Sequence, residues 1–413
     1  MTAGKFVRRC RSCFSEELVP FLSLGMTPVA NSLLSEEELS ALEPMFPLGL
    51  AYCSACSLVQ VFYELPADRI FTRDYPYYSS FAAGVVNHAR EHAQTLIRSR
   101  NLSERSLVVE IGSNDGYMLR NFREAGCQVL GIDPSPGPAS KAREIGVPTR
   151  EEFFDESVAQ GLRAEGFKAD VIIANNVMAH VPDLKGFVSG LATLVKDDGV
   201  ITIENPYVRD LIDHTEFDTI YHEHFCYFST TSVRNLLLRN GLWLNRVDHF
   251  PAMHGGSLRW TAGRRFEPDP SVKEYLETER AIGLDTAGYY TDFGIRVGEL
   301  QQALLDMLYD LKGKGNRIAA YGAAAKGATL LNCTRLPSGV IEYVVDLNSN
   351  KQGFYMPGVR LPIKDPSVLI EDRPDYLLLL AWNHAAEVME QMSEYRELGG
   401  RFILPIPKPS IVD

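Results

Sequence analysis

Residues 107–116 read LVVEIGSNDG, and the reading of this stretch decides the fold. Leu107, Val108, Val109 and Ile111 form a short apolar run rich in β-branched residues, as in a parallel strand covered on both faces. Gly112 and Gly116 bracket a polar turn, where glycine reaches backbone angles other residues avoid and lets a ligand come close. Residues 117–122 then turn helical. A strand, a glycine turn and a helix make the nucleotide half-site of an α/β sheet, whose ligand lies beyond the carboxyl ends of the strands. About 20 residues on, VLGID ends at Asp133, where an acidic side chain can bind both ribose hydroxyls. The pattern is not G-x-G-x-x-G. Asn114 and Asp115 stand where a dinucleotide phosphate wants small residues and a positive helix end. With Glu110 inside the strand, the turn suits a cationic ligand without phosphate, such as S-adenosylmethionine. A nicotinamide or flavin site, or a strand–turn–helix with no ligand, are the alternatives.

Outward from this stretch the pattern stays α/β. A helix over 81–99 precedes it, and a weak strand is expected over 147–154, with Phe153 or Phe154 against an adenine ring. ADVIIANN is the clearest strand, GVITIENPY the next, and a helix over 232–242 follows, capped by Ser229 or Thr231 and ended by Gly241. WLNRVDHF and GSLRWTAG close the set. This succession predicts a class I methyltransferase, Rossmann-like sheet. Polar residues gather at the strand ends: Asn175, Asn176 and His180 after one, Asn205 and Tyr207 after the next. Asn175 thus joins Glu110, Gly112, Asn114, Gly116 and Asp133 as candidate cofactor contacts. His180 is either a substrate contact or a capping or packed histidine.

The densest chemistry is DTIYHEHFCYFS, residues 218–229. Tyr221, His222, Glu223 and His224 stand in a row ahead of Phe225, Tyr227 and Phe228, on the connection that crosses the cofactor mouth. General acid–base chemistry is the leading reading, because an imidazole, with pKa near ~6.5, suits removal of a proton beside a carbonyl. A structural polar cluster is the second reading. A metal site is the third, but H-E-H on a loop lacks the helical spacing of H-E-x-x-H.

At the amino end, CRSC (Cys10, Cys13) and CSAC (Cys53, Cys56) predict a closed four-thiolate zinc site that supplies folding energy to a small module. A redox pair or incidental core cysteines are the alternatives. Tyr75, Tyr77 and Tyr78 in RDYPYYSS form either a surface loop or a lid over the cofactor, with Tyr75 the candidate contact. At the carboxyl end, RIAAYGAAAKGATLLN and EYVVDLN repeat the strand–turn–helix–strand pattern, with Asp346 ending the second strand. A second Rossmann-like sheet is expected there. Its turn, with Lys326 at a helix start, is either a diphosphate cradle or purely structural. His384 is a candidate by position alone. The expected organisation is 1–70 zinc module, 71–265 methyltransferase domain and 266–413 second α/β domain.

With 45% hydrophobic and 23% charged residues, the 413-residue chain reads as an ordinary globular protein. A net charge of −12 opposes a nucleic-acid partner. No apolar run approaches a membrane span, no signal peptide opens the chain, and the cysteine pairs suit a reducing cytoplasm.

Taken in order, the two C-x-x-C pairs, VVEIGSNDGY, YHEHFCYFS, and YGAAAKGATLLN with VVDLN make the chain resemble the sugar C-methyltransferases. These act on nucleotide-linked deoxysugars in antibiotic pathways. The resemblance is strongest to the C-3′-methyltransferases of dTDP-linked 4-keto deoxy or amino sugars, among them the tetronitrose pathway enzyme. It implies a zinc domain, a cofactor domain, and a C-terminal domain that helps bind the sugar nucleotide, for which the turn before Lys326 is the candidate contact. It places Tyr221, Glu223, His224 and His180 at the sugar. It further implies that His224 removes the C-3′ proton, that His180 or Tyr221 stabilises the enolate oxygen, and that the carbon then attacks the sulfonium methyl in line. The zinc would be remote from this chemistry, and the enzyme a monomer. An O- or N-methyltransferase of a small molecule is the alternative.

Overall fold

The computed structural model describes residues 4–66, 70, 78–253 and 255–413. Three sheets carry the architecture. The first is built around β4 (Leu107–Ile111), whose five residues are all buried, the four apolar ones and Glu110 among them. It is preceded by α1 (Ala83–Arg100) and followed by α2 (Leu119–Glu124), β5 (Gln128–Ile132), α3 (Pro136–Glu144), β6 (Thr149–Arg150), α4 (Glu156–Ala164), β7 (Ala169–Asn175), α5 (Leu184–Leu194) and β8 (Val195–Pro206). After the loop carrying residues 218–229 come α6 (Thr230–Arg239), β10 (Trp243–Phe250) and β11 (Ser257–Gly263). Within the loop, Cys226–Tyr227 forms β9. The seven strands run in the order β10-β11-β8-β7-β4-β5-β6, all in one direction except β11, which is antiparallel to both of its neighbours. The strand order reverses at β4, so the ligand crevice lies beyond Ile111 and Asn175.

The expected strand over 147–154 shrinks to the two residues of β6, and Phe154 is buried edge-on against Phe187, not free for an adenine ring. Phe153 is exposed. Ser229, not Thr231, caps α6: its hydroxyl accepts the Ser232 N–H, and Ser232 returns the bond. The buried Glu279 carboxylate, from α7 (Pro270–Ala281), also receives the Thr230 and Thr231 amides and the Tyr207 hydroxyl, tying the following segment to this sheet.

The second large sheet follows α8 (Phe293–Gly313). It contains β12 (Ile318–Tyr321), then α9 (Ala325–Cys333), β13 (Val344–Val345), β14 (Ile363–Lys364), β15 (Tyr376–Leu379), β16 (Arg401–Leu404) and β17 (Ser410–Val412). Its order is β14-β13-β12-β15-β16-β17, again with a reversal at the first strand after the helix.

The third sheet belongs to the amino-terminal module: β1 (Leu18–Thr27), β2 (Phe46–Cys53) and β3 (Val59–Val61), antiparallel. Its fourth strand is β9, from the methyltransferase loop: Cys226 pairs with Gln60 and Tyr227 with Val59. Among the described residues no helix is long and apolar enough to cross a membrane.

Candidate active site

The turn after β4 is rigid. Gly112 (φ +67°) and Gly116 (φ +79°) sit in the left-handed region, and a Cβ on Gly112 would meet Val177 at 3.0 Å. Chain geometry, more than close ligand approach, accounts for these glycines. Asp133 accepts the Asn114 N–H at 2.8 Å on one oxygen and the Ser135 N–H at 2.8 Å on the other. Each oxygen keeps acceptor capacity for a hydroxyl. The side chains of Asn114 and Asp115 turn the other way, accepting the amides of Ser79 (2.8 Å) and Ser80 (3.2 Å). They anchor the segment that leads into α1. Tyr75 and Tyr77 lie outside the described residues; Tyr78 packs edge-on against Phe81.

Glu110 is fully buried, and no described side chain pairs with its carboxylate, although the Leu119 backbone amide lies near enough to offset part of the cost. Burial pushes its pKa well above the usual range, and Asp133 and Asp115 add to the effect. A cation placed in the crevice would relieve that cost. Asn175 donates to the Met118 sulfur at 3.6 Å, and its buried carbonyl oxygen has no partner.

Beyond β7, His180 ends a short turn of helix, Met178–His180, and its ring stands 4.7 Å from that of His224, edge to face. Burial lowers the His180 pKa to about 4, with a backbone contact from Glu223 offsetting part of the shift. It is therefore neutral near pH 7. His224 Nδ1 is 2.9 Å from the Thr219 carbonyl, which can only accept. Nδ1 therefore carries the proton, and Nε2 presents a lone pair. The Tyr221 hydroxyl lies 2.8 Å from that Nε2 and donates to it. Tyr221, His224 and His180 are thus brought together.

Glu223, 1% exposed, does not point into this group. Asn31 of the amino-terminal module donates to both of its oxygens, at 2.8 and 2.9 Å. The Glu223 charge also reaches Lys351 of the second α/β sheet. Lys351 donates to the Ala323 carbonyl at 2.8 Å and lies 3.9 Å from Asp346; burial lowers its pKa. Asn31 and Lys351 went unnoticed in the sequence, where neither sits in a recognisable motif. His222 turns away, donating to the Pro47 carbonyl at 3.2 Å. Lys326 approaches the loop through Asp218, standing 4.2 Å over the Trp382 ring and donating to Asn383 at 3.1 Å. His384 closes the short helical turn that begins at Trp382.

The four cysteines of the amino-terminal module meet: all four sulfurs lie within 4.8 Å of one another, with Cys10 and Cys56 at 3.4 Å and Cys13 and Cys53 at 3.6 Å. Tetrahedral zinc with Zn–S near ~2.3 Å asks for sulfur separations of this size. Both knuckles close alike, with the residue after the second cysteine in the left-handed region (Phe14, φ +62°; Ser57, φ +64°). The cysteines fit structural zinc with no open position. The site is less remote than its closed chemistry implies, since β9, two residues past His224, completes the module's own sheet.

Comparison with known proteins agrees with this arrangement. Three family models match in succession: "Putative zinc binding domain" at residues 10–71, "Methyltransferase domain" at 86–245 and "C-methyltransferase C-terminal domain" at 252–407. The C-methyltransferase NovU of Streptomyces niveus is 34% identical over 409 residues, 98% of this chain and 97% of that protein. A ubiquinone biosynthesis O-methyltransferase of Azorhizobium caulinodans is 26% identical over 123 residues, covering 29% of this chain and 46% of its own. Among solved structures, a magnesium protoporphyrin IX methyltransferase from Synechocystis with bound SAM aligns at 20% identity and TM-score 0.35, covering 44% of this chain and 80% of that one. With a full-length relative at this identity and its own C-terminal domain model matched, the chain belongs to the C-methyltransferase family.

Proposed function

We propose that this enzyme uses S-adenosylmethionine to methylate C-3′ of a dTDP-linked 4-keto deoxy or amino sugar of the kind found in antibiotic pathways, as a monomer. The observation that carries the reading is the Tyr221–His224 pair, with neutral His180 beside it, at the strand ends of the sheet that holds Glu110. An O- or N-methyltransferase needs no base strong enough for a carbon acid.

The cofactor's donor set fits this chain. Glu110 faces the sulfonium and ammonium charge, Asp133 the ribose hydroxyls, and Gly112, Asn114, Gly116 and Asn175 line the crevice. When bound, S-adenosylmethionine supplies an electrophilic methyl group. The residues do the rest. The Tyr221 oxygen takes the C-3′ proton as its own proton passes to His224 Nε2, and the Thr219 carbonyl steadies the imidazolium through Nδ1–H. Negative charge collects on the C-4′ oxygen, which the single N–H of the neutral His180 ring would meet by leaving the Glu223 backbone. His224 is thus the proton store, and Tyr221 the group that meets the carbon. Glu223, held by Asn31, and Lys326 serve the sugar nucleotide, Glu223 at the sugar and Lys326 at the diphosphate.

The test is exchange. A dTDP-4-keto sugar incubated in D2O with enzyme and no methyl donor is expected to take up deuterium at C-3′. Tyr221→Phe should slow that exchange about 100- to 10,000-fold, the usual weight of one acid–base group. Methylation at oxygen or nitrogen without exchange would overturn the reading in favour of the alternative.

A further inference from the structure

Asp218 has no part in the chemistry above, yet its placement is costly. It is fully buried, and burial raises its pKa. One oxygen, Oδ1, lacks a hydrogen-bond partner, so the carboxylate is not there for stability alone. The other, Oδ2, accepts the Trp382 indole N–H at 2.7 Å. Trp382 begins the turn after β15, the place in the second sheet that Met178 holds in the first. The next residue after Asp218 is Thr219. Its carbonyl receives His224 Nδ1–H at 2.9 Å and the Tyr227 hydroxyl at 3.4 Å.

We infer that the Trp382–Asp218 hydrogen bond is a positioning device for the acid–base pair: it fixes the Thr219 carbonyl, which sets the tautomer of His224 and so the direction of the Tyr221 hydroxyl. Two links join the second sheet to the reacting group, Trp382 to Asp218 and Thr219 to His224. Lys326, 4.2 Å over the same indole, puts the nucleotide end of that sheet on the same chain of contacts. Asp218 and Trp382 are positioning residues, since neither touches the substrate. The inference rests on the acid–base role of Tyr221 and His224.

Trp382→Phe removes the donor and leaves a ring for Lys326. It is expected to lower kcat about 10- to 50-fold, the scale of a small misplacement of a reacting group, while KM for the sugar nucleotide and affinity for the methyl donor stay within about threefold. Asp218→Ala should match it. Asp218→Asn keeps an acceptor oxygen and should recover to within about fivefold of the parent. A second readout needs no substrate. Histidine ¹⁵N spectra of the full chain, with the His224 signal assigned through His224→Gln, should show Nδ1 protonated in the parent and a tautomer mixture in Trp382→Phe. Unchanged tautomer with kcat within about twofold, or a loss confined to KM, overturns the inference. If Asp218→Ala fails to fold, Trp382→Phe and Asp218→Asn decide. If the parent shows no C-3′ exchange but the tautomer still shifts in Trp382→Phe, the substrate reading fails and the positioning device stands.

Discussion

The two large sheets share one frame and invert its charge. In the first, Gly112 N–H bonds the Ile132 carbonyl, and Asp133 holds the Asn114 and Ser135 amides. In the second, Gly322 N–H bonds the Val345 carbonyl, and Asp346 holds the Ala323 and Asn348 amides at 2.7 and 2.8 Å. The turns are near copies. What stands around them differs. The residue two before the glycine is Glu110 in one and Ala320 in the other. The second frame carries Lys351 beside its aspartate and Lys326 at its helix start. One crevice holds an unpaired buried acid, the other two ammonium groups. The backbone sets where a ligand lies, and a few charges decide whether a cation or an anion belongs there.

The comparison can be broken at its largest asymmetry, the loop by which the first sheet adds a strand to the zinc module's own sheet. Cys53→Ser, or metal removal by chelation, should collapse the β3–β9 pairing and lower turnover by more than about 1,000-fold, with zinc content and turnover measured on the same sample. Next in size, Glu110→Gln should weaken binding of the methyl donor about 100-fold by calorimetry and leave sugar-nucleotide affinity alone, as expected for losing a buried charge partner. Its mirror, Lys351→Met, should raise KM for the sugar nucleotide about 10- to 30-fold without moving donor affinity. If both changes affect both ligands, the division of labour is wrong.

The smallest effect is on acid stability. Burial alone would raise the Glu204 pKa, but the His88 hydrogen bond at 2.8 Å and the Arg259 charge outweigh it and bring it to about 2. A depressed carboxylate stabilises the fold above its unfolded value near 4.5, and that stability drains away as pH falls toward 2. At pH 3.5 the loss is about 1 kcal/mol. The corresponding strand of the second sheet, β16, ends at the partly buried, apolar Leu404. Hydrogen exchange should therefore show the first sheet loosening before the second between pH 4.5 and 3; the reverse order would contradict the assignment.

Much of this frame was legible. The runs LVVEI and ADVIIAN announce buried strands, C-x-x-C pairs announce a thiolate site, and YHEH announces a polar cluster beside the strand ends. Each is a local pattern whose physics acts within one or two turns of chain. What stayed hidden was partner choice. Nothing near Asn31 marks it as the holder of Glu223, and nothing in Cys226–Tyr227 says that it will pair with β3. Lys351 resembles any loop lysine until the second sheet buries it. The tautomer of His224 also waited on one backbone fact, the Thr219 carbonyl that claims Nδ1.

The carboxylate of Glu223 sits where three modules converge: Asn31 grips it from one side, its own backbone touches His180, and the charge of Lys351 reaches it from the other. A gene encoding such an enzyme does not recombine freely. A chimera that borrows its second sheet or its zinc module from a relative would inherit intact ligand pockets and a mismatched junction. Changes in substrate choice must then arise through paired substitutions on opposite sides of this carboxylate.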